Sequence, residues 1–251
     1  MKQTLAPVIS NTRITPDYYL MWLESPGIAA EARPGQFVMV RCGQDTLLRR
    51  PLSIHQRDGS RIALLFQVVG KGTDWLSHRQ AGDKIDLFGS LGNGFSIQPT
   101  VKNLLLVAGG IGIAPLCFLA QQATGHRVTL LLGASTAARL YPSHLLPPEA
   151  SVVTATEDGT AGRKGMVSRL LPDSAGQVDQ IFACGPPGMY QTMAGMPELK
   201  DKPVQISLEI MMGCGVGVCY GCTVMTKRGL KQVCQDGPVF DLDDILWEEL
   251  I

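Results

Sequence analysis

The chain has 251 residues, 22 basic and 22 acidic side chains, a formal net charge of zero, and hydrophobic and charged fractions of 45% and 18%. That balance describes an ordinary globular protein with room for two domains and a small third module, and neither half carries the basic run that nucleic acid requires. No stretch reaches the roughly 18 uninterrupted apolar residues of a membrane span, and the opening MKQTLAPVISNTRIT lacks the apolar core of a secretory signal, so a cytoplasmic protein is expected.

From the N-terminus to about Pro99, short apolar or β-branched runs (36–41, 61–69) alternate with Pro, Gly and Asp-Gly turn signals. Turns at Pro34-Gly35 and Ala81-Gly82-Asp83 feed strands, the second over 84–88. This spacing predicts an antiparallel β-barrel over 1–99. Within it, Leu48-Arg49-Arg50-Pro51-Leu52-Ser53-Ile54 offers a guanidinium fork suited to a pyrophosphate at Arg50 and a hydroxyl able to reach a flavin ring at Ser53. Two arginines at a strand start are, taken alone, more often solvated than functional. Val69-Gly70-Lys71-Gly72-Thr73 then supplies a Gly-rich turn whose N–H groups suit the same phosphates, and opens a short helix whose N-terminus favours an anion. An Arg-x-x-Ser strand followed by such a loop resembles the flavin-binding barrel of the ferredoxin reductase superfamily. The segment 89–95 reads as the loop that closes the barrel, with a domain boundary near Pro99-Thr100.

From Val101 the pattern changes. The run 103–108 is continuously apolar, as expected of a strand buried on both faces of a parallel sheet. It enters Gly109-Gly110-Ile111-Gly112-Ile113-Ala114-Pro115 and a helix-like segment over 116–123, which is a dinucleotide-binding arrangement although Ala114-Pro115 replaces the last glycine of the full fingerprint. Further strands over 127–132, 151–154 and 180–183 give a doubly wound α/β domain over 100–203, with ligand loops at the carboxyl edge of its sheet. Cys184-Gly185-Pro186-Pro187-Gly188-Met189 is a rigid turn that admits a ring closely. Coupled with the 109–115 loop it resembles the nicotinamide-side loops of ferredoxin reductase-like enzymes, which makes Gly110, Gly112, Cys184, Gly185 and Pro186 candidate nucleotide-binding residues. Glu157 or Asp158 suits the adenosine ribose hydroxyls, and an acidic side chain there repels a 2′-phosphate, favouring NADH over NADPH.

The C-terminal segment, 204–251, is organised around Cys214-Gly-Val-Gly-Val-Cys219-Tyr-Gly-Cys222, with Cys234 after eleven further residues. A C-x4-C-x2-C run and a lone downstream Cys is the plant-type spacing for a [2Fe–2S] cluster. Interleaved glycines let the backbone curl closely around a cluster and aim N–H groups at sulfur. Structural zinc is the alternative, but zinc ribbons present two separated C-x2-C knuckles and this chain has one short pair. The eleven-residue interval is shorter than in plant ferredoxins, so the cluster is expected on a small appendage of a larger enzyme. A hairpin is expected between the third and fourth ligands, and 242–251 reads as an amphipathic tail that docks on the chain's own body or on a partner. Cys42 and Cys117 read as buried inert thiols, and His55, His78, His126 and His144 as surface or structural residues.

Together these motifs closely resemble the electron-transfer subunits of class 1B dihydroorotate dehydrogenases over essentially the whole chain. The resemblance implies FAD, one [2Fe–2S] cluster, NAD(H), and a catalytic partner subunit carrying FMN, assembled as a heterotetramer of two plus two in UMP biosynthesis. Carried over by position, it implies FAD binding by Arg50, Pro51, Leu52, Ser53, Leu65, Phe66, Gln67, Gly72 and Thr73. It implies cluster ligation by Cys214, Cys219, Cys222 and Cys234, and no catalytic acid–base side chain of the chain's own. Ile210-Met211 after Glu209 departs from the more polar sequence expected there. Alternatives are a reductase subunit of a ferredoxin:NADP oxidoreductase or sulfhydrogenase, or a non-enzymatic zinc-stabilised nucleotide-binding protein. Apolar residues Met211, Met212, Val216, Val218 and Tyr220 suit docking against a partner.

Overall fold

The computed structural model describes residues 2–44 and 46–249. Six antiparallel strands, β1 (Lys2–Arg13), β2 (Tyr18–Glu24), β3 (Phe37–Val40), β4 (Arg50–Asp58), β5 (Arg61–Gln67) and β6 (Lys84–Leu91), close into a barrel in the order β1-β2-β5-β4-β3-β6. Helix α1 (Pro26–Ala29) follows β2, and α2 (Lys71–Ser77) follows β5. Side chains alternate across each strand. Along β5, Ile62, Leu64 and Phe66 fill the barrel interior, whereas Ala63 and Leu65 face outward into a second core shared with the next domain.

The first part of the expected 89–95 loop is strand instead. Gly89, Ser90 and Leu91 complete β6, because Leu91 pairs with and buries against Phe37, and Gly89 passes so close to Val38 that a Cβ would lie 2.8 Å from its Cγ1. A glycine in a strand marks such close backbone approach.

The second domain is built on β7 (Asn103–Gly109), helix α3 (Ile113–Gln122), β8 (Arg127–Ala134), β9 (Ser151–Thr156), β10 (Arg163–Lys164), α4 (Leu171–Ala175), β11 (Gln180–Cys184), α5 (Pro187–Ala194) and β12 (Val204–Ser207). After the hairpin β13 (Thr223–Thr226) and β14 (Gly229–Gln232), strand β15 (Val239–Asp241) returns to the same sheet, whose order is β10-β9-β8-β7-β11-β12-β15. All pairings are parallel except that of β15. The continuous apolar run of β7 has a direct cause. Leu105 and Val107 face the core that includes the cysteine module, while Leu104, Leu106 and Ala108 face the core that includes α3 and the outer barrel wall. A strand covered on both faces needs apolar residues at every position.

Strand order reverses between β7 and β11, so the loops leaving their carboxyl ends diverge and open a crevice there. The 109–112 loop and the 184–188 turn are those two loops. Because β12 and β15 belong to this sheet, we propose that the cluster module begins after Ser207, a few residues later than the boundary expected at 203. The tail folds back on the chain itself: Leu242 and Ile245 are buried, and the Trp247 ring lies 5.6 Å from that of Tyr190. Residues 250 and 251 of the expected tail lie outside the described residues. Among the described residues no helix is long and apolar enough to cross a membrane.

Candidate active site

Two cavities adjoin where the barrel meets the sheet. The first, about 470 Å³, is walled by Arg50, Pro51, Leu52, Ser53, Leu65, Phe66, Gln67 and Thr73 of the barrel and by 207–212. Gly72, expected with this set, supports the wall from beneath, since a Cβ there would lie 3.1 Å from Arg50 Nε. Thr73 Oγ1 accepts the N–H groups of Val69 and Gly70 at 3.0 and 3.3 Å and so holds the Gly-rich turn open toward the cavity.

The two adjacent arginines part company. Arg49 makes a bidentate pair with Asp86 at 3.0 and 2.7 Å, tying the entry to β4 onto β6. Burial raises the Asp86 carboxyl, but the hydrogen bonds from Arg49 and Gln3 outweigh it and hold the pKa below its ordinary value. Arg50 donates to Leu48 O at 2.7 Å and turns the rest of its fork to the cavity. A guanidinium over a Gly-rich turn fits a pyrophosphate. Replacing Arg50 with alanine is expected to weaken FAD binding about 10- to 100-fold, as befits charge-assisted hydrogen bonds, in a fluorescence titration of the flavin-free chain.

The second cavity, about 480 Å³, opens at the strand-order reversal and is walled by Gly109, Gly110, Pro186, Gly188 and Glu157, among others. Gly112, Cys184 and Gly185 stand behind the wall. A Cβ on Gly112 would overlap the Cys184 carbonyl, so the absent side chain is what lets the two loops touch. Asp158 is turned into its own loop, where Oδ1 accepts Thr160 N–H and O–H at 3.0 and 2.7 Å, and that leaves Glu157 as the cavity's acidic wall residue. Glu157→Gln is therefore expected to narrow the NADH-over-NADPH preference about tenfold, which corresponds to about 1.4 kcal/mol, in parallel steady-state assays with the two nucleotides.

Gln67 lines both cavities, so a group in one lies against the same side chain as a group in the other. Residues that motif reading passed over complete the walls. Tyr18 and Arg139 line the nucleotide cavity, with Arg139 Nε 3.0 Å from Asp17 Oδ2 across the domain seam. Glu209 lines the first cavity, and desolvation there raises its carboxyl above its ordinary value.

The cysteine loop starts where the first cavity ends, since Ile210, Met211 and Met212 are still cavity wall and Cys214 follows two residues later. Each of the four sulfurs accepts at least one backbone N–H. Val216 donates to Cys214 at 3.4 Å, Gly221 to Cys219 at 3.5 Å, Cys234 to Cys222 at 3.4 Å and Gly217 to Cys234 at 3.1 Å. Gly215 and Gly217 have φ of 76° and 78°, conformations that suit glycine. Among the described residues no three His, Cys, Asp or Glu side chains converge on one ion position. Side-chain hydrogen bonds link Cys214 with Cys219 and Cys222 with Cys234, and Cys214 is also near enough to act on Cys234. Two thiolates per iron is what a two-iron cluster requires. Burial raises the Cys214 thiol, but N–H groups of Val216, Cys219 and Val218 and the Cys219 side chain prevail and draw it down to about 6. Cys234 is pushed up to about 12 by burial and by Cys222.

His55 is not a surface residue. It is fully buried, and burial lowers its pKa to about 4 from the ordinary 6.5. Between those values the unfolded chain binds a proton that the folded chain refuses, so stability present above pH 6.5 falls as pH drops toward 4. His55→Leu is expected to remove that part of the acid sensitivity, read as a smaller shift in melting temperature between pH 7 and pH 5.

Barrel, reversed-order sheet and paired cavities define a flavin- and nicotinamide-dependent reductase of the ferredoxin reductase type. Residues 209–246 match the iron-sulfur cluster binding domain of dihydroorotate dehydrogenase B. The chain is 41% identical to the dihydroorotate dehydrogenase B (NAD(+)) electron transfer subunit of Desulforamulus reducens, with 97% of this chain and 98% of that one covered. It is 37% identical to the subunit of the same description from Caldanaerobacter subterraneus subsp. tengcongensis, with 96% and 98% covered. Among solved structures, a chain of the NADH-dependent reduced ferredoxin-NADP oxidoreductase superposes with a TM-score of 0.88 at 32% identity, covering 98% of this chain and 91% of that one. A ferredoxin NADP+ reductase from Neisseria gonorrhoeae shares the fold at 19% identity and a TM-score of 0.65. The chain belongs to the family of dihydroorotate dehydrogenase B electron transfer subunits.

Proposed function

We propose that this chain carries electrons between NAD(H) and the FMN of a dihydroorotate dehydrogenase catalytic subunit, in the cytoplasm and within de novo UMP synthesis. The observation that carries the reading is spatial continuity. The nucleotide cavity, the flavin cavity and the cysteine loop form one uninterrupted series, joined first by Gln67 and then by 210–212. Bound FAD supplies the interchange between two-electron hydride chemistry and one-electron transfer, and a [2Fe–2S] cluster supplies the one-electron carrier.

The chain's own residues bind, orient and shield. Arg50, Gly72 and Thr73 would hold the pyrophosphate end of FAD, and Ser53, Leu65 and Phe66 would line the rest of its site. Gly110, which has no side chain, and the rigid turn at Pro186 line the crevice where a nicotinamide would approach. Cys214, Cys219, Cys222 and Cys234 would hold the cluster, with at least one backbone N–H directed at each sulfur.

Around the cysteine loop Met211, Val218 and Tyr220 are 88%, 72% and 71% exposed, whereas Met212 and Val216 pack inward. Three large apolar side chains grouped beside an electron exit suit a docking face for the catalytic subunit. A heterotetramer of two such chains with two catalytic subunits is part of the proposal. Mixing the purified chain with the FMN-containing catalytic subunit tests it: dihydroorotate should reduce NAD+ only in the mixture, in an assembly that sediments as two plus two. The 32% identity to the ferredoxin-NADP oxidoreductase chain favours a second reading, a reductase subunit of that type. Failure of dihydroorotate to reduce NAD+ in a mixture that does associate would favour it.

A further inference from the structure

We propose that His55 is a positioning residue for electron transfer from nicotinamide to flavin: it ties the flavin-cavity strand β4 to the first turn of α3, fixing the nucleotide loop against the flavin cavity. The inference rests on the NADH–FAD reading above.

The backbone has been bent to place this side chain. Ile54 pairs with Leu64 and Gln56 with Ala63, so β4 carries one extra residue at this point and His55 is the bulge. A bulge re-aims a side chain. Here the imidazole leaves the barrel on the face opposite Ile54 and enters the domain seam, two residues beyond Ser53. Nδ1 lies 2.9 Å from Ala114 O, and Nε2 lies 2.8 Å from Tyr141 Oη. A carbonyl only accepts, so Nδ1 carries the hydrogen and Nε2 accepts the tyrosine hydroxyl. Both ring nitrogens are satisfied in a single neutral tautomer, and the ring has no exposed surface.

The two partners sit at consequential places. Ala114 belongs to the flavin-cavity wall and lies two residues past the 109–112 loop, whose Gly109 and Gly110 line the nucleotide cavity. Tyr141 lies two residues past Arg139, a wall residue of the nucleotide cavity that also pairs with Asp17 of the barrel. His55 thus holds three segments from behind: the flavin strand, the nucleotide loop and the Arg139 segment. Gln56 and Gln121 add polar ties between β4 and α3, with Gln56 Nε2 donating to Cys117 Sγ at 3.4 Å and Gln121 Nε2 to Arg57 O at 3.0 Å, while Leu20, Leu65 and Leu116 fill the seam around them. An apolar residue at 55 would fill such a seam without the desolvation cost of an imidazole. What the imidazole adds is direction, because two opposed hydrogen bonds fix the distance between domains in a way that side-chain packing does not.

The test uses the full chain with its cofactors and three variants. His55→Leu keeps an apolar filler, His55→Asn returns an N–H donor near the position of Nδ1, and Tyr141→Phe removes one hydroxyl. His55→Leu should bind NADH nearly as the parent does, yet reduce its flavin at least about tenfold more slowly at saturating NADH, as small misplacements of reacting groups do. His55→Asn should recover most of that rate. In the nucleotide-free protein, amide hydrogen exchange across 109–118 should accelerate in His55→Leu and return toward the parent in His55→Asn. An unchanged flavin-reduction rate in His55→Leu, or unchanged exchange across 109–118, overturns the proposal. If His55→Leu fails to retain FAD, Tyr141→Phe decides: reduction about threefold slower, as for one lost hydrogen bond, supports it and an unchanged rate overturns it. A parent chain whose flavin NADH does not reduce at all would instead sink the NADH–FAD reading on which the inference stands.

Discussion

Replacing Cys219 with alanine is expected to abolish onward electron flow while leaving the flavin end of the protein intact. Among the four candidate ligands Cys219 alone is exposed, whereas Cys222 and Cys234 are 2% exposed members of the hydrophobic core. Removing either buried thiol would disturb packing as well as ligation, so Cys219 separates the two effects. Loss of one ligand should lower bound iron at least about tenfold, since even outer partners of a metal site are worth 10- to 100-fold in affinity. NADH should still reduce the flavin at close to the parent rate. Transfer to a one-electron acceptor or to the catalytic subunit should fall about 100-fold or more, equivalent to about 2.7 kcal/mol of barrier. Iron analysis, stopped-flow absorbance and coupled turnover read the three quantities on one preparation. Full onward transfer by an iron-depleted variant would contradict the route through the cysteine loop.

Gly112→Ala is expected to produce the largest loss of stability of any single methyl addition in the nucleotide domain. The backbone at Gly112 is ordinary, with φ −59°, so the cost does not come from conformation. It comes from space: a Cβ would overlap the Cys184 carbonyl carbon and oxygen and lie 2.8 Å from Gly185 N. Backbone cannot step aside as a flexible side chain can, so the two loops must separate at the strand-order reversal. Overpacking of this kind costs about 3 kcal/mol, which for a chain of this size lowers the melting temperature by about 6–12 °C. NADH affinity should fall with it. Gly188→Ala is the matched control, because nothing lies within 4 Å of its Cβ position and it sits in α5. Alanine in a helix should leave stability unchanged or raise it by about 0.5–1 kcal/mol. Equal melting temperatures for the two variants would remove the packing argument.

These two cases mark what local sequence reveals and what it does not. Short-range chemistry was legible: the Gly-rich turns, the cysteine spacing and the unbroken apolar run of β7 all follow from what a few consecutive residues must do. The residues that line the first cavity could be grouped because Arg50 to Ser53 and Leu65 to Gln67 lie on neighbouring strands with strong patterns. The choice between neighbours was not legible. Nothing local says that Arg49 pairs with Asp86 and leaves the cavity to Arg50, or that Asp158 folds onto Thr160 and leaves the wall to Glu157. Residues 89–91 looked like loop because a glycine ends most strands, and only the proximity of Val38 explains why it continues one here. Tyr18 and Arg139 escaped notice, and His55 was read only as surface or structural, for the same reason. Their partners lie on other domains and far away in sequence, so the pattern around each is unremarkable until the barrel meets the sheet.

Anaerobic titration of the purified chain with NADH, followed by visible absorbance and low-temperature EPR, tests the central claim most directly. Bleaching of a flavin band together with a reduced [2Fe–2S] signal is the predicted result, because nucleotide cavity, flavin cavity and cysteine loop are contiguous. A colourless, zinc-containing protein, or a flavin that bleaches while an iron-replete sample shows no cluster signal, would contradict it.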